Sequence, residues 1–325
     1  MIILKKILVT GGAGFIGSNF IRYLLNEHED IQIINLDILT YAGSITNLAD
    51  IMDDKRHKFI HGSINDERLL ANLFRNNIDY IVNFAAESHV DRSIQDSLIF
   101  TKTNILGTHV LLEVARKHGI KKFIQVSTDE VYGSLGKEGF FSEISPLSPS
   151  NPYSASKASA DLICLSYYKT YKLPILITRC CNNYGPYQFP EKLIPLMAIK
   201  AIKGEKLPVY GNGENIREWI HVIDHCRAID TIMNYGKTGE IYNISTRQNE
   251  MNINIVKKIL QLLSKTEDLI QFVEDRPGHD FRYALDNTKI TKELGWKPIY
   301  DLESGLKETA MWYKENEKWW EKLIL

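Results

Sequence analysis

The sequence predicts an α/β fold, a doubly wound parallel sheet followed by a smaller and more irregular α/β unit. Three observations carry this. Short, continuous apolar runs recur through the first half and read as strands buried on both faces. Longer segments with helical spacing separate most of them, which puts helices over both sides of one parallel sheet. A glycine-rich stretch, "VTGGAGFIGSNF", joins the first apolar run to the first helical segment, the position at which such folds hold phosphate.

Strands are expected at "KILVT", "IQIINLD", "HKFIHG", "DYIVNFAA", "KKFIQVS" and "LPILITRC". Each is a short, largely apolar run. Helices are expected over Phe15–Glu27 and over 66–74, 94–118 and 153–171. After Cys181 the pattern loosens into the turn-rich "CNNYGPYQFP", the extended "LPVYGNGENIREW" and "GEIYNIS", and helical runs over 253–263 and 302–320. Residues 1–181 are therefore read as a dinucleotide-binding domain, rejoined by about 220–244. Residues 182–325 are read as a substrate domain over the sheet's carboxyl edge.

Composition narrows the function classes. Of 325 residues, 44% are hydrophobic and 24% charged, and the net charge is −1. A nucleic-acid-binding face would leave a basic excess. No apolar run approaches a membrane span. The start, "MIILKKILVT", carries lysines inside its apolar stretch and no cleavage site after it, unlike a signal peptide. The four cysteines, Cys164, Cys180, Cys181 and Cys226, form no C-x-x-C pair. They read as reduced thiols in a cytoplasmic protein, and no metal is expected.

The glycine stretch satisfies G-x-G-x-x-G at Gly12, Gly14 and Gly17, and also G-x-x-G-x-x-G from Gly11. Missing side chains let the main chain approach a pyrophosphate, whose charge the helix N-terminus stabilises. Asp37 ends the second strand, twenty residues after Gly17. A carboxylate there accepts the hydroxyls of an adenosine ribose and repels a 2′-phosphate, which favours NAD over NADP. Strand, loop, helix, second strand and acid together make a Rossmann-type reading far stronger than glycines alone.

"NPYSASKASADL" places Tyr153 and Lys157 on one helix face, with Pro152 marking the helix start. A free tyrosine is a poor base at neutral pH, but a nearby ammonium or a nicotinamide cation stabilises phenolate. A solvated pair on a helix surface is the bland alternative. Downstream of a dinucleotide fingerprint, the pair points to oxidation of a sugar or alcohol hydroxyl. In "STDEVYG", Asp129 and Glu130 sit side by side where a buried strand ends. Two adjacent carboxyls drive their pKa values apart, so one can be protonated while the other is ionised. Adjacent strand residues face opposite ways, so the strand is expected to have ended by Asp129. The bland alternative is an exposed acidic turn.

"TGGAGFIG" with "YSASK" resembles the extended short-chain dehydrogenase/reductases. "FAAESHVDRSI", "STDEVYG", "NNYGPYQFPEKLIP", "IREW" and "DRPGHDFRYALD" narrow the resemblance to the dTDP-glucose 4,6-dehydratases, over nearly the whole chain. The resemblance implies NAD-dependent conversion of dTDP-glucose to its 4-keto-6-deoxy product, feeding deoxysugar (for example rhamnose) biosynthesis. It implies that Tyr153 takes the C4 hydroxyl proton, Thr128 hydrogen-bonds the C4 oxygen, Glu130 takes the C5 proton and Asp129 protonates the leaving C6 hydroxyl.

It further implies cofactor contacts by Gly11, Gly14, Phe15, Ile16 and Gly17, by Asp37, Ile38, Leu39 and Thr40, and by Ser63 and Ile64. Phe84, Ala85, Ala86, Glu87, Ser88 and Thr103 would line the groove, and Tyr153, Lys157 and Asn183 would hold the nicotinamide end. The sugar nucleotide would meet Ser88, Thr128, Asn182, Lys192, Leu193, Pro208, Val209, Tyr210, Arg217, Asn252, Arg276 and His279. Arg217 and Arg276 suit a diphosphate, since a guanidinium donates bidentately. The family pairs into homodimers through two helices from each subunit, which implies a four-helix contact through 94–118 and 153–171. Ser63 stands where the family usually has aspartate, Cys181 where it usually has serine, and the loop at 134–151 is shorter than in many members. Rival readings are a UDP-sugar 4-epimerase or decarboxylase on the same fold and, from another class, a non-catalytic dinucleotide sensor. None of these needs an acid–base couple for losing water.

Overall fold

In the computed structural model, which describes residues 4–275 and 280–324, β1 (Lys5–Thr10) runs inside a seven-stranded sheet. It is followed by α1 (Phe15–Glu27), β2 (Ile31–Asp37), β3 (His57–His61), α2 (Glu67–Phe74), β4 (Tyr80–Asn83), α3 (Val90–Gln95) and α4 (Ser97–Phe100). Then come α5 (Thr108–His118), β5 (Lys122–Thr128), α6 (Pro152–Tyr171), β6 (Ile175–Cys180), β7 (Asn182–Tyr184), α7 (Leu193–Lys203), β8 (Leu207–Tyr210) and β9 (Ile216–His221). The chain continues through α8 (Val222–Tyr235), β10 (Ile241–Ile244), β11 (Asn249–Met251), α9 (Asn252–Leu262) and β12 (Ile270–Val273), and through α10 (Thr288–Leu294), α11 (Leu302–Glu315) and α12 (Glu317–Glu321).

The large sheet has the order β10-β6-β5-β4-β1-β2-β3, with every neighbouring pair parallel. The chain builds outward from β1 to β3, then returns to build from β4 to the other edge. The connections diverge between β1 and β4, and a crevice opens at the carboxyl ends of those strands. Strand alternation fills both faces. Ile7, Val9, Ile33, Val82 and Ile124 pack with α1 and α8 on one face. Leu8, Ile34, Ile81, Phe123 and Ile175 pack with α2 and α5 on the other. β10 pairs with β6, so the chain near residue 241 returns to the large sheet after the excursion through β7 to β9. A third core, with Met197, Trp219, Ile255, Leu306 and Trp320, joins α7, α9, α11 and α12.

The helix expected over 153–171 forms as α6. Pro152 opens it, the Asn151 side chain accepts from Ser154 N at 2.9 Å, and Lys172 ends it in the left-handed region. The single helix expected over 94–118 does not form. It is broken into α3, α4, a π-helical segment Thr101–Gly107 and α5. Asp96 leaves helical geometry and its carboxylate caps Leu98 N instead. The wide turn carries Asn104 into the core, where its amide donates to Glu87 O and Ser156 Oγ and accepts from Glu87 N. A buried amide that satisfies three partners outweighs one regular helical turn.

All four cysteines are free and buried. Among the described residues no helix is long and apolar enough to cross a membrane.

Candidate active site

The crevice is a cleft of about 420 Å³ running from the glycine turn to the carboxyl end of β5. At the glycine end its walls are main chain. Gly11 has φ +70°, and a Cβ there would sit 2.7 Å from Ala85 N. A Cβ on Gly17 would sit 2.3 Å from Gly11 O, so α1 can approach the turn only at that residue. Gly14, the N-cap of α1, offers no side chain to the first-turn N–H groups. That leaves a positive helix terminus facing the cleft, suited to an anionic diphosphate. Asp37 lies at the end of β2, where Ala13 N donates to Oδ2 at 2.9 Å and Leu39 N to Oδ1 at 2.8 Å. Each carboxylate oxygen keeps a second lone pair for a ribose hydroxyl. Uncapped helix, glycine cradle and acid together fit a dinucleotide.

At the other end the site is built of buried side chains. β5 stops at Thr128, whose hydroxyl accepts from Glu130 N at 3.3 Å and so starts the short 3₁₀ turn Asp129–Tyr132. The turn places Asp129 and Glu130 on the same cleft rather than on opposite faces, as the expected end of the strand requires. Asp129 is 2% exposed. Thr128 Oγ1 donates to its Oδ1 at 3.2 Å, and its Oδ2 has no partner. Burial, then the charge of Glu130, push this carboxyl well above its ordinary value and so favour its protonated form. Ser154 Oγ donates to Glu130 Oε2 at 3.3 Å.

Tyr153 stands one turn before Lys157 on α6, and both line the cleft. The direct effect of the lysine on the phenol differs from expectation. Lys157 Nζ donates to Val126 O at 2.7 Å, while burial and the nearby Glu130 raise the Tyr153 pKa rather than lower it. In the chain alone the phenol is protonated. Burial also lowers Lys157. Behind the pair, Asp161 on α6 receives Arg179 Nε of β6 at 2.9 Å and ties helix to sheet.

Most residues inferred from sequence meet in this one cleft. Gly11, Gly14, Phe15, Ile16, Gly17, Asp37, Ile38, Thr40, Ser63, Ile64, the five residues from Phe84 to Ser88 and Thr103 line it. So do Thr128, Asp129, Glu130, Tyr153, Lys157, Asn182, Asn183 and Lys192. Lys192 Nζ donates to Ser88 O at 2.9 Å across the entrance. Leu39 is not in the lining; it packs against the core. Leu193 and Val209 pack in or against the third core. Pro208, Tyr210, Arg217 and Asn252 lie outside the lining as well. In the turn after β8, Gly213 N bonds Tyr210 O, and Asn252 N bonds Asn215 O. Arg217 donates to the carbonyls of Ile216, Asp280 and Phe281. Arg276 and His279 lie outside the described residues.

The GDP-mannose 4,6 dehydratase family profile matches residues 8–309. The chain is 53% identical to the low-salt glycan biosynthesis protein Agl12 of Haloferax volcanii, over 96% of this chain and 99% of that protein. It is 48% identical to a dTDP-glucose 4,6-dehydratase of Streptomyces niveus, over 98% and 95%. Its fold superposes with TM-score 0.95 on the Streptomyces venezuelae dTDP-glucose 4,6-dehydratase solved with NAD and TDP bound, at 50% identity over 98% and 99% of the chains. The chain belongs to the dTDP-glucose 4,6-dehydratase family.

In this dehydratase-family chain, sequence reasoning missed several residues in or beside the cleft. Glu191 on the rim accepts from Tyr41 OH at 2.8 Å, while Arg92 covers the Tyr41 ring at 3.5 Å. Glu218, next to Arg217 in "IREW", is fully buried on β9; burial pushes its pKa up to about 7, and its Oε1 has no partner. Its charge adds to the upward push on Asp129. Cys180 and His225 also line the cleft; they lie 45 residues apart, and no local pattern joins them.

Proposed function

We propose that this chain dehydrates dTDP-glucose to dTDP-4-keto-6-deoxyglucose with NAD that it regenerates within each turnover, a step toward deoxysugars. The observation that carries the reading is Asp129, buried with one carboxylate oxygen unpartnered, beside Glu130 in the same cleft as Tyr153 and Lys157. Oxidation alone needs no such couple, and this weighs against an epimerase, a decarboxylase or a sensor.

When bound, NAD supplies a positive charge beside the phenol and a site that takes hydride from C4 and returns it at C6. Gly11, Gly14, Gly17, Phe15 and Ile16 would hold its diphosphate, Asp37 its adenosine ribose, and Tyr153 and Lys157 its nicotinamide end. Tyr153 accepts the C4 hydroxyl proton while Thr128 hydrogen-bonds the C4 oxygen. The resulting 4-ketone acidifies C5–H, and Glu130 takes that proton. Asp129, whose protonated form burial favours, delivers its proton to the C6 hydroxyl, which leaves as water. Glu130 then returns a proton to C5. Lys192 and Arg217, with Arg276, would serve the diphosphate of the sugar nucleotide. Residues 1–181, rejoined near 220–244, would bind cofactor, and 182–325 the nucleotide sugar.

Exposed apolar side chains on α3, α4, the π-helical segment and α6, among them Leu98, Ile99, Leu106 and Leu162, suit burial against a second copy. A homodimer through a four-helix contact is expected, and a monomeric mass at micromolar concentration would refute it. The test of the function is single-turnover reaction with dTDP-glucose in deuterated water. Glu130→Gln should still oxidise the sugar but incorporate deuterium at C5 about a hundredfold or more slower. Exchange and dehydration at the parent rate would overturn the assignment.

A further inference from the structure

The walls of the cleft are tied together by side chains that carry no step of the dehydration. Tyr41 stands in the loop after β2, between Thr40 and Ala42, which both line the cleft. Ser88, His89 and Arg92 stand after β4, in the turn into α3 and on α3 itself. β2 and β4 are the two neighbours of β1 in the sheet, so these two loops flank the glycine turn that follows β1. Glu191 and Lys192 come from the segment between β7 and α7 and reach both loops. Tyr41 OH donates to Glu191 Oε1 at 2.8 Å, and His89 Nε2 lies 3.7 Å from Glu191 Oε2. Lys192 Nζ donates to Ser88 O at 2.9 Å.

A direct contact between the two loops closes the circuit. Arg92 sets its guanidinium 3.5 Å from the centre of the Tyr41 ring, and Arg92 N donates to His89 Nδ1 at 3.4 Å. The ring of Phe189 meets Tyr41 edge-on, with centroids 5.4 Å apart. Arg92 is exposed, while Tyr41, His89 and Glu191 are half-buried, which puts the circuit at the outer edge of the cleft. Each of these contacts is modest by itself, so the circuit can open without unpacking a core. Neither Tyr41 nor Arg92 is part of the cleft lining.

We propose that Tyr41, Glu191 and Arg92 form a strap across the cleft that retains NAD and NADH between the first and last steps of a turnover. The inference rests on the dehydration reading, in which the hydride taken from C4 waits on the cofactor until it is returned at C6. A cofactor that left in between would carry the hydride away and strand the 4-keto sugar. A dinucleotide reaching from Asp37 past Gly14 towards Tyr153 lies along the carboxyl ends of β2, β1, β4 and β5. The strap runs from the loop after β2 to the turn after β4, across that path. Every contact in it is made between groups of this chain, so it opposes entry and departure of the cofactor alike. Tyr41 and Arg92 act as positioning residues: they hold the strap shut without touching the cofactor.

The test is cofactor exchange on the purified full chain, with no sugar present. Mixing with a fluorescent etheno-adenine analogue of NAD gives the association rate, and displacing it with excess NAD gives the dissociation rate. Tyr41→Phe keeps the ring under Arg92 and removes the hydroxyl that holds Glu191. It should raise both rates about tenfold, the worth of one hydrogen bond to a carboxylate, and leave the dissociation constant within about threefold of the parent. Arg92→Met keeps the length of the side chain without its charge and should raise both rates about threefold. Faster dissociation alone, with affinity weakened in proportion, would mean that these side chains contact the cofactor directly, and overturns the strap. Parent rates in both variants overturn the strap and leave the dehydration reading standing. A parent chain that binds neither NAD nor the analogue overturns both. If Tyr41→Phe does not fold, Arg92→Met, at an exposed position, still decides.

Discussion

The two ends of the cleft recognise by different means. Around Gly11 and Gly17 the walls are main chain, and what matters is what is absent: a Cβ at either residue would strike backbone within 2.7 Å. Around Asp129 and Tyr153 the walls are side chains whose protonation depends on burial and on each other. The first end works by shape and by a helix terminus that does not titrate. The second works by charge and depends on pH and on neighbours. Damage to the glycine end should therefore weaken cofactor binding. Damage to the tyrosine end should stop chemistry while leaving the cofactor in place.

The largest effects are expected at the tyrosine end. Tyr153→Phe should lower turnover about a hundred- to ten-thousand-fold, with no NADH absorbance on adding dTDP-glucose and cofactor affinity within a few-fold of the parent. Asp129→Asn should leave C5 exchange comparatively intact and slow loss of the C6 hydroxyl by a similar factor, since an amide is a poor proton donor. If either variant instead loses cofactor in proportion to its rate, the two ends are not separable.

Next in size is the burial that sets the tyrosine end. The folded-state pKa of Glu218 is raised to about 7, above its unfolded value. The folded state therefore holds this proton while the unfolded state has already lost it. Between about pH 4.5 and 7 the group's contribution to stability falls as pH rises, by on the order of 3 kcal/mol in total. Glu218→Gln should remove that slope, and urea titrations of parent and variant at pH 5 and pH 8 would measure it. An unchanged slope would mean that Glu218 is not the buried acid felt by Asp129.

At the glycine end, Gly17→Ala forces a methyl against Gly11 O. Overpacking of about 1–3 kcal/mol should raise the dissociation constant for NAD roughly ten- to hundredfold in calorimetry, with near-parent rates once the cofactor is saturated. The smallest effect is expected at Asp37. Asp37→Ala removes the repulsion of a 2′-phosphate and ribose hydrogen bonds together, and should shift the NAD over NADP preference by about tenfold. Equal use of both cofactors by the parent chain would break the reading of this acid.

The glycine end was legible in the sequence because its determinants are local. Gly11, Gly14, Gly17 and Asp37 lie on one strand, turn, helix and strand, and their spacing alone places them together. The order of buried strands was legible too, because a parallel sheet covered on both faces demands unbroken apolar runs. The Tyr153–Lys157 face and the Asp129–Glu130 step belonged to the same local grammar. The dehydration chemistry itself came through family resemblance.

Only the tertiary structure decided the rest, because it depends on what lies opposite. The helix expected over 94–118 yields to Asn104, whose partners Glu87 and Ser156 come from distant segments. Lys157 spends its proton on Val126 O, and Tyr153 is governed by burial and Glu130, so the phenol moves in the direction opposite to the one a helix-face pair suggests. Asp129 is made an acid by its enclosure and by Glu130 and Glu218. Cys180, Asn183 and His225 become a cluster only when β6, β7 and α8 meet. Backbone spacing is written along the chain, whereas desolvation and charge coupling are properties of the packed interior and have no local signature.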